Sequence, residues 1–143
     1  MFGVQKFGGR KIKKEANKMT ALPQKVLEAW ENRDGPVILA TVNRDGIPNI
    51  IYATCVGIFG NDRLVVADNF FNKTRQNILQ GCKGAILFRS KDGKAYQVKG
   101  TMEYHKDDEI FKQMKTWNPP NHPGHAAAAL RVEEVYSGAE KLY

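Results

Sequence analysis

Three short turn signals, Asn43-Arg44-Asp45-Gly46, Gly60-Asn61-Asp62 and Lys91-Asp92-Gly93-Lys94, separate runs of apolar and β-branched residues, and they constrain the fold more tightly than any other feature of the chain. Gly, Asn and Asp tolerate the backbone conformations of tight hairpins, so each signal joins two antiparallel neighbours. The runs predict strands over 36–42, 47–59, 63–67, 85–89, 95–104 and 127–136. Helical spacing is confined to short segments. Residues 22–31 place Leu22, Val26, Leu27 and Trp30 on one face. Residues 73–80 run up to Gly81, and 107–115 begin with Asp107 and Asp108 at the positive end. The Pro-rich link from Trp117 to Gly124 cannot continue that last helix. The expected fold is mainly β: a six- or seven-stranded antiparallel barrel with short flanking helices, since closure protects edge strands.

Length and charge limit the function classes. With 143 residues the chain suits one domain with a sizeable core, expected over residues 21–143. The formal charge is +7, but residues 1–20 hold six Lys/Arg and one Glu, which leaves 16 basic and 14 acidic residues in the rest. Lys6, Arg10, Lys11, Lys13, Lys14 and Lys18, interspersed with glycine, read as a flexible solvated arm. No helix-turn-helix, zinc-finger or ribonucleoprotein pattern accompanies this charge, so a specific nucleic-acid role is not expected; nonspecific phosphate contact by the arm stays open. No apolar segment approaches the roughly 20 residues of a membrane helix. The basic start also lacks the apolar stretch of a secretory signal, so a cytoplasmic protein without membrane association is expected. Cys55 and Cys82 have no compact spacing and read as small apolar residues rather than disulfide partners or nucleophiles. His122 and His125 flank Pro123 and Gly124, which breaks any shared helix face; both are expected in a surface loop, with no metal site.

The chemistry-bearing stretch is Asp68-Asn69-Phe70-Phe71-Asn72-Lys73-Thr74-Arg75, where a strand gives way to a helix. With Asn72 as N-cap, the first helical turn leaves backbone N–H groups without intrahelical acceptors. A phosphate there would meet those donors, the Thr74 hydroxyl and the cations of Lys73 and Arg75. The alternative is that Lys73 and Arg75 solvate a helix surface. Upstream, Tyr52, Ala53, Thr54 and Cys55 combine an aromatic wall, a small residue and a hydroxyl donor, or else form an ordinary alternating strand.

Taken in order, Pro36-Val37-Ile38-Leu39-Ala40-Thr41, Asp45-Gly46-Ile47-Pro48-Asn49, Asp62-Arg63-Leu64-Val65-Val66, Asn72-Lys73-Thr74-Arg75-Gln76-Asn77-Ile78 and Tyr96-Gln97-Val98-Lys99-Gly100-Thr101 resemble the flavin mononucleotide (FMN)-binding split barrels related to pyridoxamine 5'-phosphate oxidase. The resemblance spans roughly residues 22–136 and is nearest to the small single-domain flavin-binding and flavin reductase-like members.

That resemblance implies a split β-barrel homodimer with FMN in grooves between subunits. It implies phosphate contacts from Lys73 and Thr74, with Arg75 a less secure ligand, and Tyr52, Ala53, Thr54 and Cys55 along the ring system. Asp68 and Asn69 would offer backbone groups to the ring or ribityl chain. Arg89 beside a strand end and Trp117 in the Pro-rich link are further candidates, against a surface salt bridge and simple packing respectively. No Ser/His/Asp or Cys/His arrangement is visible in the sequence and no catalytic residue is assigned. The flavin itself would be the redox centre, fed transiently by a nicotinamide cofactor or a protein electron donor. The alternatives are a noncatalytic flavin-binding module and a haem-binding split barrel. The arginine-rich carboxy-terminal segment of the full vitamin-processing oxidases has no counterpart in Gly138-Ala139-Glu140-Lys141-Leu142-Tyr143, so vitamin B6 oxidation is not expected.

Overall fold

A computed structural model describes residues 22–143; the basic arm expected over residues 1–20 lies outside them. The elements are α1 (Gln24–Glu31), β1 (Val37–Val42), β2 (Pro48–Ala53), β3 (Val56–Phe59), β4 (Arg63–Asp68), α2 (Lys73–Leu79), β5 (Lys83–Arg89), β6 (Ala95–His105), α3 (Glu109–Trp117), β7 (Ala126–Ser137) and β8 (Glu140–Lys141). The strands form one antiparallel sheet in the order β2-β1-β5-β6-β7-β4-β3, with β8 added to β7. β2 and β3 are therefore the two ends of the hydrogen-bonded path, although only Thr54 and Cys55 separate them in sequence. The curled sheet is split at that link rather than closed by a ladder.

The turn chemistry works as the sequence suggests. Asn43 Oδ1 accepts the N–H groups of Asp45 and Ile47, both at 2.9 Å, and Gly46 takes φ +81° to close the β1–β2 hairpin. The single strand expected over 47–59 is instead two strands. Ala53 pairs with Val37, and the next residue on β1's side is Pro36, which has no N–H to extend the ladder. The chain leaves β1 there and takes up β4, starting with the bond from Ala67 N–H to Cys55 O at 2.9 Å.

Two apolar clusters sit on opposite faces of β4 and β7. Leu64 and Val66 join Leu39, Ile86, Val98, Leu130 and Val132 inside the curl. Val65 and Ala67, with Ala127 and Ala129, face Ile110 and Met114 of α3. Strands buried on both faces read as continuous apolar runs, which accounts for Leu64-Val65-Val66-Ala67 and for the alanines of β7. Asp108 caps α3 by accepting the Phe111 N–H at 3.1 Å. α1 closes one end of the curl through Val26, Ala29 and Trp30, with Trp30 edge-on to Phe88 at 5.1 Å between ring centroids.

Candidate functional site

β2, the end of β4 and the first turn of α2 converge on a cavity of about 420 Å³. Their placement begins at Asp68, whose side chain is fully shielded from solvent. Arg75 grips it with both ends of its guanidinium, Nε to Oδ2 at 2.7 Å and Nη2 to Oδ1 at 2.9 Å. The Tyr104 hydroxyl donates to Oδ2 at 2.5 Å and the Phe71 N–H to Oδ1 at 3.1 Å. These four donors lock the corner at which β4 hands over to α2. Burial by itself would raise the Asp68 carboxyl, but the bonds from Arg75, Tyr104 and Phe71 and the nearby guanidinium charge together hold it below the usual carboxylate range. Arg75 is raised correspondingly, mainly by its bonds to Asp68, and burial followed by the Asp68 contact raises the Tyr104 phenol.

Beyond that corner the cavity has two unlike ends. At one, the Thr74 hydroxyl accepts from Asn49 Nδ2 at 3.0 Å, and the exposed Lys73 ammonium has no carboxylate partner among the described residues. At the other, Ile51, Tyr52, Ala53 and Thr54 line one wall, Val66 and Ala67 the next, and Phe70 and Phe71 the rim. Tyr52 and Phe70 are 76% and 77% exposed, so two large rings stand open to solvent beside the opening.

Seven of the expected site residues line this cavity: Tyr52, Ala53, Thr54, Cys55, Asn69, Lys73 and Thr74. Four do not. The Asp68 carboxylate and Arg75 are spent on each other, and the Asp68 carbonyl accepts the His125 N–H at 2.9 Å. Arg89 pairs with Asp34 at 2.7 Å, away from the cavity. Trp117 packs on Gly57, where an added Cβ would lie 2.7 Å from its ring. Asn72 stands at the N-cap position but makes no side-chain capping bond; the start of α2 is fixed by Asp68 instead.

His122 is the residue that sequence reasoning missed. It lies in a loop as expected, but it also lines the cavity, because residues 118–125 fold back beneath the end of β4. Its Nδ1 is 3.7 Å from Cys55 Sγ and 3.4 Å from Asn69 Nδ2, and its ring meets Phe70 edge-on. A Cys/His contact therefore exists, formed across 67 positions of sequence.

Comparison with known proteins places this architecture. The family model for pyridoxamine 5'-phosphate oxidase matches residues 22–138. The chain belongs to that family. It is 30% identical over 121 residues to the uncharacterized protein MJ0282 of Methanocaldococcus jannaschii, covering 81% of this chain and 80% of that one. Its fold is similar to the crystal structure of HupZ from Group A Streptococcus, with TM-score 0.70 and 23% identity over 81% of this chain and 93% of the other. It is also similar in fold to an FMN-binding protein from Syntrophomonas wolfei, with TM-score 0.64 and 17% identity over 89% and 97% of the two chains. The last two likenesses establish the split barrel. The match at 22–138 begins at the first described residue and includes every residue of the cavity.

Proposed function

We propose that this protein binds FMN in the cavity between β2 and the start of α2, and that any redox activity resides in that flavin. The observation that carries the reading is the pairing of Lys73, without a carboxylate partner among the described residues, and the Thr74 hydroxyl at one end with an apolar, aromatic wall at the other. A phosphorylated planar cofactor asks for that combination: convergent cationic and hydroxyl donors for the phosphate, and apolar faces with a few polar groups for the ring. A volume of about 420 Å³ lies within the range of small-molecule sites. The FMN-binding protein of Syntrophomonas wolfei, which shares the fold, supports the choice of cofactor.

In this reading Lys73 and Thr74 hold the phosphate, Asn49 orients the Thr74 hydroxyl, and residues 52–55 wall the ring. When bound, the flavin supplies hydride- or electron-accepting chemistry. The chain's residues bind it, orient it and leave the Tyr52 and Phe70 side of the cavity open to a nicotinamide or protein donor. A second copy is the expected partner. Ile50 lies opposite Ala40, Tyr52 opposite Ile38, and Ile38 opposite Leu87, which gives the outer face of β2, β1 and β5 an apolar stripe beside the cavity. A homodimer would cover that stripe.

The test is the visible spectrum of the purified chain, followed by FMN titration. A saturable flavin band is expected; its absence from the folded protein would reject the reading. Lys73→Ala is expected to weaken FMN binding by about tenfold to a hundredfold, the worth of one charge-assisted contact. Riboflavin, which lacks the phosphate, should bind the variant and the unsubstituted protein alike. Equal losses for both ligands would move the phosphate away from Lys73.

The family includes haem-binding as well as flavin-binding members, and His122 on the cavity wall favours haem as a second reading. A histidine-ligated haem spectrum on titration with hemin, lost in His122→Gln, would select it.

A further inference from the structure

We propose that His122 offers an Nε2–H donor to whatever fills the cavity, and that its tautomer is dictated through Asn69 by the Gly124 backbone N–H. Gly124 N–H donates to Asn69 Oδ1 at 2.9 Å. A backbone N–H cannot act as an acceptor, so it decides which end of the Asn69 amide is oxygen. Asn69 and Asn118 also form a reciprocal amide pair, Asn118 Nδ2 to Asn69 Oδ1 at 2.9 Å and Asn69 Nδ2 to Asn118 Oδ1 at 3.0 Å. By itself that pair would be equally satisfied with both amides flipped; Gly124 removes the ambiguity.

One Asn69 Nδ2 hydrogen then remains, and its neighbour is His122 Nδ1 at 3.4 Å. Asn69 is only 7% exposed, so water is a poor substitute acceptor. With Nδ1 as a lone pair, all the hydrogen-bonding capacity of the Asn69 amide is used. With a proton on Nδ1, two N–H groups would face each other and a buried amide hydrogen would lose its acceptor, which disfavours that tautomer by about fivefold or more. Cys55 Sγ, 3.7 Å from the same nitrogen, can donate or accept weakly and so suits either tautomer. In the neutral ring the proton therefore sits on Nε2, which has no hydrogen-bond partner among the described residues.

The chemistry this selects is an acceptor in the ligand: a carbonyl oxygen, an unprotonated ring nitrogen or an oxyanion. Coordination of haem iron through Nε2 requires the opposite tautomer, so the same network weighs against the haem reading. Only the identity of the acceptor as a flavin rests on the proposed function. The tautomer is a property of the chain itself.

The deciding experiment is a long-range ¹⁵N–¹H correlation spectrum of the histidine rings in the full, ligand-free chain at mildly alkaline pH, with His122 assigned by the signals missing from His122→Gln. Nδ1 is expected in the unprotonated range and Nε2 in the protonated range. Asn69→Asp, whose carboxylate accepts from the ring, should move the Nδ1 signal into the protonated range. A protonated Nδ1 in the unsubstituted protein, or two averaged nitrogens, overturns the inference; an unmoved Nδ1 in folded Asn69→Asp overturns the relay. Should that variant not fold, the unsubstituted spectrum still decides the tautomer. Failure of FMN to bind would appear separately in the titration and leaves this result standing.

Discussion

Gly100→Ala is expected to lower the stability of the fold by about 3 kcal/mol, among the larger costs of overpacking by a single methyl group. β6 and β7 shift register between Lys99 and Gly100: Lys99 lies opposite Glu134 and Gly100 opposite Val132. The bulge drives β7 so close that a Cβ on Gly100 would sit 1.9 Å from Arg131 O and 2.8 Å from its carbonyl carbon. Both atoms are backbone in the middle of a ladder, so no side chain can rotate away. Relief requires separating β6 from β7, the strands at the centre of the sheet. For a domain of this size the melting temperature should fall by roughly 10 °C. A melt within about 2 °C of the unsubstituted protein would mean that the two strands can separate at little cost.

Arg75→Leu should cost nearly as much, by a different route and with a different pH dependence. Removing the guanidinium leaves the buried Asp68 carboxylate with only Tyr104 and the Phe71 N–H as donors. Breaking a buried pair from one side typically costs about 3–5 kcal/mol. Arg75 is 34% exposed, so the lower end, about 3 kcal/mol, is the expected value. Asp68 is held below its unfolded value, so its contribution is fully present above the unfolded carboxylate pKa of about 3.9 and is lost as the pH falls through the depressed folded value. In Arg75→Leu only the bonds from Tyr104 and Phe71 still oppose burial, which is the largest influence, and the folded value should rise instead. The stability gap between the two proteins is thus widest at neutral pH and narrows as the pH falls through the raised folded value of the variant and on toward the depressed folded value of the unsubstituted protein. Urea unfolding at pH 7 and near pH 3.5 measures it. A gap of the same size at both values would separate the Arg75 effect from the Asp68 charge.

What the sequence revealed follows the range of the interactions. Hairpins were legible because Asn43, Asp45 and Gly46 settle a turn within five residues. The paired apolar runs gave the strands, and the Lys73-Thr74 step gave one end of the cavity. The break between β2 and β3 was not legible, because the residue that forces it, Pro36, acts on β2 through the ladder with β1. The grip of Arg75 on Asp68 was not legible, because nothing local announces a two-pronged hold on a buried carboxylate seven residues earlier. Arg89 and Trp117 were drawn off by Asp34 and Gly57, partners fixed only in three dimensions. His122 carried no spacing signal; the bond from His125 N–H to Asp68 O is what swings its loop under the cavity.

β7 is the last long strand of this sheet in chain order, yet among the described residues it is the only strand that joins β4 and β3 to the rest of the sheet. Until Ala126–Ser137 has emerged, the hairpin of β3 and β4 has no hydrogen-bonded connection to β6, and Val66 and Ala67 are not yet held opposite Tyr52 and Thr54. Pairings such as Arg63 with Arg131 close a loop of more than sixty residues, a topology that folds slowly and leaves early strands waiting with bare edges. A nascent chain halted before β7 would thus hold a four-stranded sheet of β2, β1, β5 and β6 and a separate β3–β4 hairpin. The cavity comes into being only once β7 has emerged, together with the fold.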